Sequence, residues 1–308
     1  MESVDVIIPV YQPGKQLFEL LDLLSKQTVV PAQIIIMNTE QKYFDAAVVG
    51  TRFWHMYKNI IVRHVSKKEF DHARTRNIGV KLSNAPYFML MTQDAVPADE
   101  YLIENLLQEM EQKKTAVAYA RQLVNETASE LEKFTRGFNY PAVSVRKSVK
   151  DLEKMGIKTF FSSNVCSLYR RSVFDELGGF SAPAIFNEDM TYAYHAVMAG
   201  HEIAYTADAA VYHSHNYTNR QQFHRNFDLG VSHADHPEIF GLVTTESEGI
   251  RLVKKAVGYF AAVGKVWLVL TFITQSVFKY IGYFMGKRYR KLPLSLVKKC
   301  SMNKEYWK

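Results

Sequence analysis

Three groups of side chains have types and positions that suit chemistry. Asp94 follows the apolar run Tyr87-Phe88-Met89-Leu90-Met91. An ionised carboxylate there is costly unless it lies at an exposed rim or meets a cation, so Asp94 either caps the next turn or helps to hold a hard metal ion. Glu188-Asp189 opens a helical pattern, where the helix dipole favours negative charge; capping and acid-base roles both remain open. The run Tyr212-His213-Ser214-His215 puts imidazoles at the end of a β-rich segment. A carboxylate with an imidazole is a workable set for Mg²⁺ or Mn²⁺, with Asp189 left off the metal as a base, while a satisfied surface or core histidine is the alternative. His195, His201, His224, His233 and His236 have no such context and read as structural.

These groups need a scaffold that carries them to one edge. The first 125 residues alternate β-rich runs with helical patterns, which predicts an α/β fold with a mostly parallel central sheet flanked by helices. Val4 to Val10 reads as a strand, and Lys15 to Lys26 as a helix with Leu17, Leu20, Leu21 and Leu24 along one stripe. Ile34 to Met37, Ile60 to Val65 and Tyr87 to Met91 repeat the strand pattern, with helical stretches from about Phe44 and from Asp71 to Leu82. Asn125 to Lys158 is polar and weakly periodic, a loop with helical pieces able to cover a site. Order returns at Thr159 to Tyr169; a helix from Glu188 to Ala199 and a strand from Glu202 to His213 follow. Ligands of such sheets bind beyond the carboxyl ends of the strands, which singles out the loops Pro9-Val10-Tyr11-Gln12, Asn38-Thr39-Glu40, Phe70 to Asn77 and Thr92-Gln93-Asp94-Ala95. None carries the Gly-rich dinucleotide fingerprint or the phosphate loop of nucleotide triphosphatases, which excludes those classes.

The chain has 308 residues, 22% charged and 47% hydrophobic, enough for a sizeable core in one or two domains. Its formal charge of +7 is uneven: from Lys279 to Lys308 there are nine Lys/Arg against one acid, Glu305. The remainder is close to neutral, which argues against nucleic acid as a partner and places an anion-seeking segment at the C-terminal end. Cys166 and Cys300 form no disulfide framework and fit a reducing compartment. The N-terminus lacks the basic and apolar regions of a signal peptide, so the protein is expected to stay in the cytoplasm.

In order along the chain, Val6-Ile7-Ile8-Pro9-Val10-Tyr11, Ala73-Arg74-Thr75-Arg76-Asn77-Ile78-Gly79, Thr92-Gln93-Asp94-Ala95, Leu177-Gly178-Gly179-Phe180, Asn187-Glu188-Asp189 and Tyr212-His213-Ser214-His215 resemble the motifs of family 2 glycosyltransferases with the GT-A fold. The combination Phe70-Asp71-His72, Gln93-Asp94-Ala95 and His213 to Tyr217 looks most like bacterial rhamnosyltransferases that use dTDP-L-rhamnose. The resemblance covers about residues 3 to 220. It implies a transferase domain over 1–220, with a nucleotide-sugar half at 1–124 and an acceptor half at 125–220, followed by a helical, basic region at 221–308.

The resemblance also implies roles. Pro9, Val10 and Tyr11, with Thr39 and Glu40, would hold the nucleotide base and ribose; Arg76 and Gln93 would lie at the nucleotide sugar. Asp94 would bind a divalent cation, Mn²⁺ or Mg²⁺, that bridges the phosphates, and His213 would complete the metal or diphosphate site. Asp189 would deprotonate the acceptor hydroxyl, with Glu188 binding or orienting the acceptor. Two positions depart from the pattern: Asn38-Thr39-Glu40 replaces the usual acidic second-strand motif, and Thr92 replaces the first acid of the DXD motif. The implied reaction is inverting transfer from a dTDP-sugar to a lipid-linked saccharide in bacterial cell-surface polysaccharide synthesis. Another nucleotide sugar such as a UDP-hexose, or a non-catalytic membrane-anchored scaffold, are the competing readings.

Ala256 to Phe278 is apolar but interrupted by Lys265, and its uncharged run falls short of the roughly 20 residues that span a bilayer. Its aromatic residues, followed by Lys287-Arg288-Tyr289-Arg290-Lys291, suit helices lying in an anionic membrane interface, with a hairpin packed on the domain or a homodimer contact as the alternative. The expected location is peripheral, at the cytoplasmic face of the bacterial inner membrane.

Overall fold

A computed structural model describes residues 2–242 and 246–307. Lys308, the last member of the basic run, and Met1 lie outside the described residues. Nine strands form one sheet: β1 (Val4–Tyr11), β2 (Gln33–Thr39), β3 (Ile60–Val65), β4 (Tyr87–Met91), β5 (Val96–Pro97), β6 (Thr115–Leu123), β7 (Val145–Lys147), β8 (Cys166–Arg170) and β9 (Glu202–Tyr212). The order is β3-β2-β1-β4-β8-β6-β9-β5, with β7 added on β9. The helices that matter here are α1 (Lys15–Leu24), α2 (His72–Lys81), α3 (Leu102–Met110), α4 (Glu130–Asn139), α5 (Glu188–Met198), α6 (Asn219–Asp235), α7 (Glu246–Ala262), α8 (Val266–Gly286) and α9 (Leu294–Cys300).

The expected parallel arrangement holds for β3-β2-β1-β4. Beyond β4 the sheet is mixed, because β8 runs antiparallel to both β4 and β6, while β6 and β9 are again parallel. The order expected over Thr159 to Tyr169 becomes a strand only at Cys166; Gly156–Phe160 is a short 3₁₀ helix, and a turn at Asn164-Val165, closed by the Cys166 N–H donating to the Ser163 carbonyl at 3.2 Å, leads into β8. Within Asn125 to Lys158, α4 is a full helix, started by the Ser129 hydroxyl, which accepts from the Glu132 N–H at 3.2 Å.

Strand alternation explains the two apolar layers. Val4, Val6, Ile8 and Val10 of β1 face α1 and α3, and Ile7 faces α2. Leu17, Leu20, Leu21 and Leu24 of α1 are all buried, as the helical stripe predicts. Asp71 caps α2 by accepting from the Arg74 N–H at 2.8 Å, and its other oxygen accepts from the Ala184 N–H at 2.8 Å, tying α2 to the loop before α5.

No separation of packing occurs at residue 220. Ile185, in the loop before α5, shares one buried cluster with Phe227 and Val231 of α6 and Val297 and Cys300 of α9. α8 crosses α6 very closely: a Cβ on Gly282 would fall 2.3 Å from the Phe223 carbonyl oxygen, and one on Gly286 would fall 2.1 Å from that of Phe227. Only glycine permits that approach. On the other side of α8, Leu270, Ile273, Val277, Ile281 and Phe284 form an exposed apolar stripe.

Candidate active site

The strand directions bring four chain segments to one rim. β4, β6 and β9 end there and antiparallel β8 begins there, so Met91 lies opposite Cys166 and Leu123 opposite Tyr212. A cavity of about 720 Å³ opens at this rim, with Thr92, Gln122, Asn164, Asp189, His213 and His215 in its wall.

Asp94, His213 and His215 place one ligand atom each within 4.8 Å of one another. Nε2 of His213 is 3.7 Å from Oδ1 of Asp94, and Nε2 of His215 is 3.4 Å from Oδ2. Burial pulls both imidazoles below their ordinary range, His213 to about 3, against the opposing influence of Asp94. They are therefore neutral near pH 7 and have a lone pair to offer. Nδ1 of His213 lies 3.0 Å from Oε1 of Gln122. An amide oxygen only accepts, so Nδ1 carries the proton and Nε2 faces Asp94 as a free ligand atom. Gln122 is itself fixed, since its Nε2 donates to the hydroxyls of Tyr140 at 2.6 Å and Ser163 at 2.9 Å, and its oxygen also accepts from Arg136. One carboxylate with two neutral imidazoles fits a divalent cation. The turn-capping alternative for Asp94 has no side-chain hydrogen bond to support it among the described residues.

Sequence reasoning singles out His213 and misses His215 as a ligand. The signal was present, because residues i and i+2 of an extended run point the same way. Gln122, by contrast, meets His213 only through the β6–β9 pairing, which no local pattern reveals.

The second acidic group divides by role. Asn187 precedes α5 in the left-handed region, with φ of 62°, a conformation asparagine tolerates better than most residues. Glu188 then turns inward: its Oε1 is 3.2 Å from Nη1 of Arg76 and accepts from Nδ2 of Asn164 at 3.0 Å. Asp189 lines the cavity; its Oδ2 accepts from the Asn164 backbone N–H at 3.0 Å and its Oδ1 from that of Met190 at 2.8 Å. Burial, and then the negative Glu188 beside it, push the Asp189 carboxyl up to about 7, against the pull of those two N–H donors and Arg76. Burial also works to raise Glu188, but Arg76 and His72 outweigh it and hold that carboxyl below its ordinary value. Neighbouring acids with pKa values driven apart have separate jobs: here a permanent buried anion and a base poised near neutrality.

Arg76 is expected at the nucleotide, yet the structure commits its Nη1 to Glu188 and, at 3.0 Å, to the His72 carbonyl. Glu188 is expected at the acceptor, yet its Oε1 is occupied by Arg76 and Asn164. The remaining loop residues lie outside the cavity wall. The Tyr11 N–H donates to Oε1 of Gln93 at 3.2 Å and Nε2 of Gln93 donates to the Tyr11 carbonyl at 2.9 Å, which latches the loops after β1 and β4 together. The Val10 side chain belongs to the core, Pro9 is half-buried and Thr39 is buried. Glu40, with φ of 66°, accepts through Oε1 from the Lys67 N–H at 2.6 Å.

Sequence reasoning places no site residue beyond His215. The structure adds Arg225 from α6 and Gln275 and Lys279 from α8 to the same cavity wall, because the glycine crossing seats α8 directly on α6.

Residues 5–178 match the model of the family described as Glycosyl transferase family 2. Across nearly the whole chain, the protein is 38% identical to the O-antigen chain rhamnosyltransferase RfbN of Salmonella typhimurium, with 99% of this chain and 96% of that protein aligned. It is also 38% identical to the O-antigen chain rhamnosyltransferase WbaN of Salmonella anatum, over 100% of this chain and 96% of that protein. Among solved structures, the fold is similar to that of a mannosyltransferase, PcManGT from Pyrobaculum calidifontis, in complex with GDP-Man and Mn²⁺, with a TM-score of 0.62 at 13% identity over 92% of this chain and 87% of that one.

Proposed function

The chain belongs to glycosyl transferase family 2, and from that premise we propose that it transfers L-rhamnose from dTDP-L-rhamnose, with inversion, to a lipid-linked saccharide of the O-antigen type. The observation that carries this reading is that a poised base, Asp189, and two members of the candidate cation site, His213 and His215, line one cavity, with Asp94 3.7 and 3.4 Å from their Nε2 atoms. The near full-length likeness to two rhamnosyltransferases supports the sugar.

A divalent cation held by Asp94, His213 and His215, Mn²⁺ or Mg²⁺, would neutralise charge on the donor's diphosphate. Gln122 keeps the His213 tautomer correct for that task. Asp189 takes the proton of the acceptor hydroxyl as that oxygen bonds to the anomeric carbon and the bond from this carbon to the nucleoside diphosphate breaks. Asn164 holds the carboxylate in place, and burial together with the negative Glu188 beside it keeps its basicity high against the pull of Arg76. The Tyr11–Gln93 latch, with Thr39 and Glu40, supports the nucleotide end.

We place the protein peripherally at the cytoplasmic face of the inner membrane. Among the described residues, one helix, Val266–Gly286, is long and apolar enough by length and composition to cross a bilayer, with a mean hydropathy of 1.3 and 11% of its apolar 18-residue window buried. Its exposed stripe leads to a second cavity of about 500 Å³ lined by Tyr280, Tyr283, Phe284 and the cations Lys287, Arg288, Arg290 and Lys291. Aromatic and cationic groups together suit an anionic interface.

A donor screen tests the reading. dTDP-rhamnose should raise the melting temperature in the presence of Mn²⁺ and yield dTDP with a lipid-linked acceptor. Stabilisation by UDP- or GDP-sugars but not by dTDP-rhamnose would overturn the donor.

A further inference from the structure

The wall that α6 and α8 contribute to the cavity has no part in the roles above, and it carries two cations. Arg225 and Lys279 both line it and both are half-buried. Among the described residues neither has a carboxylate within 4.0 Å. The Arg225 guanidinium instead rests over the Phe186 ring, 4.5 Å from its centroid. Burial pulls both groups below their ordinary pKa values, and the charge of Arg225 lowers Lys279 further. Two neighbouring half-buried cations with no carboxylate in contact are costly by themselves, and an anion in the cavity reduces that cost.

The position of Lys279 is set from the far side of α8. It is the single charged residue of that helix and lies on the face that carries Gln275 into the cavity, opposite the exposed stripe of Leu270, Ile273 and Val277. Gly282 and Gly286 seat this face against α6, which carries Arg225. A long apolar helix thus presents hydrocarbon outward and one cation inward, at the cavity that contains the base.

We propose that Arg225 and Lys279 form a subsite for the phosphate or diphosphate group of the acceptor, an anionic amphiphile whose apolar chain suits the exposed face of α8. This rests on the transfer reading above. The acceptor is favoured over the donor because the donor's diphosphate would take its counter-charge from the divalent cation that Asp94, His213 and His215 would hold, whereas these cations come from the helices that carry the apolar surface. Arg225 is nonetheless close enough to influence His213 and His215 as well as Asp189, so the departing nucleoside diphosphate is the other source of the same chemistry.

Calorimetric titration of the full chain with farnesyl diphosphate, farnesol, and dTDP with Mn²⁺ separates the two. Wild type should bind farnesyl diphosphate more tightly than farnesol. Lys279→Gln and Arg225→Gln should each weaken farnesyl diphosphate binding about tenfold and change farnesol and dTDP binding by less than about twofold. Lys279→Arg should retain most of the affinity. A loss of dTDP affinity in place of farnesyl diphosphate affinity would assign the cations to the donor and overturn the proposal. So would unchanged farnesyl diphosphate binding in both Gln variants, or no binding by a wild type that binds dTDP. Failure of wild type to bind dTDP while farnesyl diphosphate binding depends on Lys279 would overturn the donor assignment and leave the subsite standing. Should Arg225→Gln prove unfolded by its melting curve, the Lys279→Gln and Lys279→Arg pair decides.

Discussion

Asn164 binds Asp189 through its backbone and Glu188 through its side chain: its N–H donates to Oδ2 of Asp189 and its Nδ2 donates to Oε1 of Glu188, each at 3.0 Å. One residue thereby fixes the separation between the base and the anion that tunes it. The Tyr169 hydroxyl donates to Oδ1 of Asn164 at 2.6 Å, which orients the amide so that its NH₂ must face Glu188.

Asp189→Asn should cut transfer by roughly 10² to 10⁴ while leaving dTDP binding within about twofold, since it removes a base and keeps the volume. Single-turnover transfer beside nucleotide titration measures both. A parallel fall in nucleotide affinity would place Asp189 at the donor.

The same substitution should stabilise the fold at alkaline pH. With its folded pKa raised to about 7, Asp189 contributes a penalty that develops as pH rises from its unfolded value, about 3.9, through about 7, and stays constant above. Asp189→Asn should therefore melt at a higher temperature than wild type at pH 8 and close to it at pH 4. Equal melting temperatures at pH 8 would mean that the carboxyl is not strained by burial.

For activity the sign is the reverse, because the base works only when ionised. kcat/KM should fall as pH drops below about 7. Glu188→Gln removes the neighbouring negative charge and leaves Arg76 uncompensated; both changes lower the Asp189 pKa, so the acid limb should move to lower pH with a reduced plateau. A limb that stays in place would show that Glu188 does not tune the base.

Removing the metal or its ligands should act on donor binding. Asp94→Ala, His213→Ala and His215→Ala should each weaken Mn²⁺-dependent dTDP binding, and chelation should reproduce the loss in wild type. Gln122→Leu should cost about 10- to 100-fold in metal affinity without touching a ligand, because it releases the His213 tautomer. Unchanged Mn²⁺ titration in all four variants would locate the cation elsewhere.

What the sequence revealed of this site follows from the range of the forces involved. The strand and helix patterns of the first half, and the acids at their ends, are local: the stripe of α1 and the apolar run before Asp94 can be read from neighbours alone. Asn164 and Gln122 are polar residues with no local distinction, and Lys279 reads in sequence as the first charge of the basic run; they acquire their positions from pairing across β4, β8, β6 and β9 and from the contact of α8 with α6. The sequence placed no site residue in 221–308 for the same reason, since a glycine looks like a helix weakness until the carbonyl it approaches is known.

That contact yields the last prediction. Gly286→Leu puts a side chain where a Cβ alone would lie 2.1 Å from the Phe227 carbonyl, so α8 must move away from α6 at a cost of about 1 to 3 kcal/mol or more. Lys279, two turns earlier on α8, moves with it, whereas Asp94, His213 and Asp189 are held by the sheet rim and α5. The variant should thus bind dTDP with Mn²⁺ as wild type does, lose most of its transfer to a lipid-linked acceptor, and melt at a lower temperature. Replacing Lys287, Arg288, Arg290 and Lys291 by Gln gives the contrasting case: it leaves the crossing intact but should reduce sedimentation with anionic vesicles at low salt, by up to about 1 kcal/mol per residue. Full transfer activity in Gly286→Leu would mean that α8 serves only the membrane surface and not the cavity.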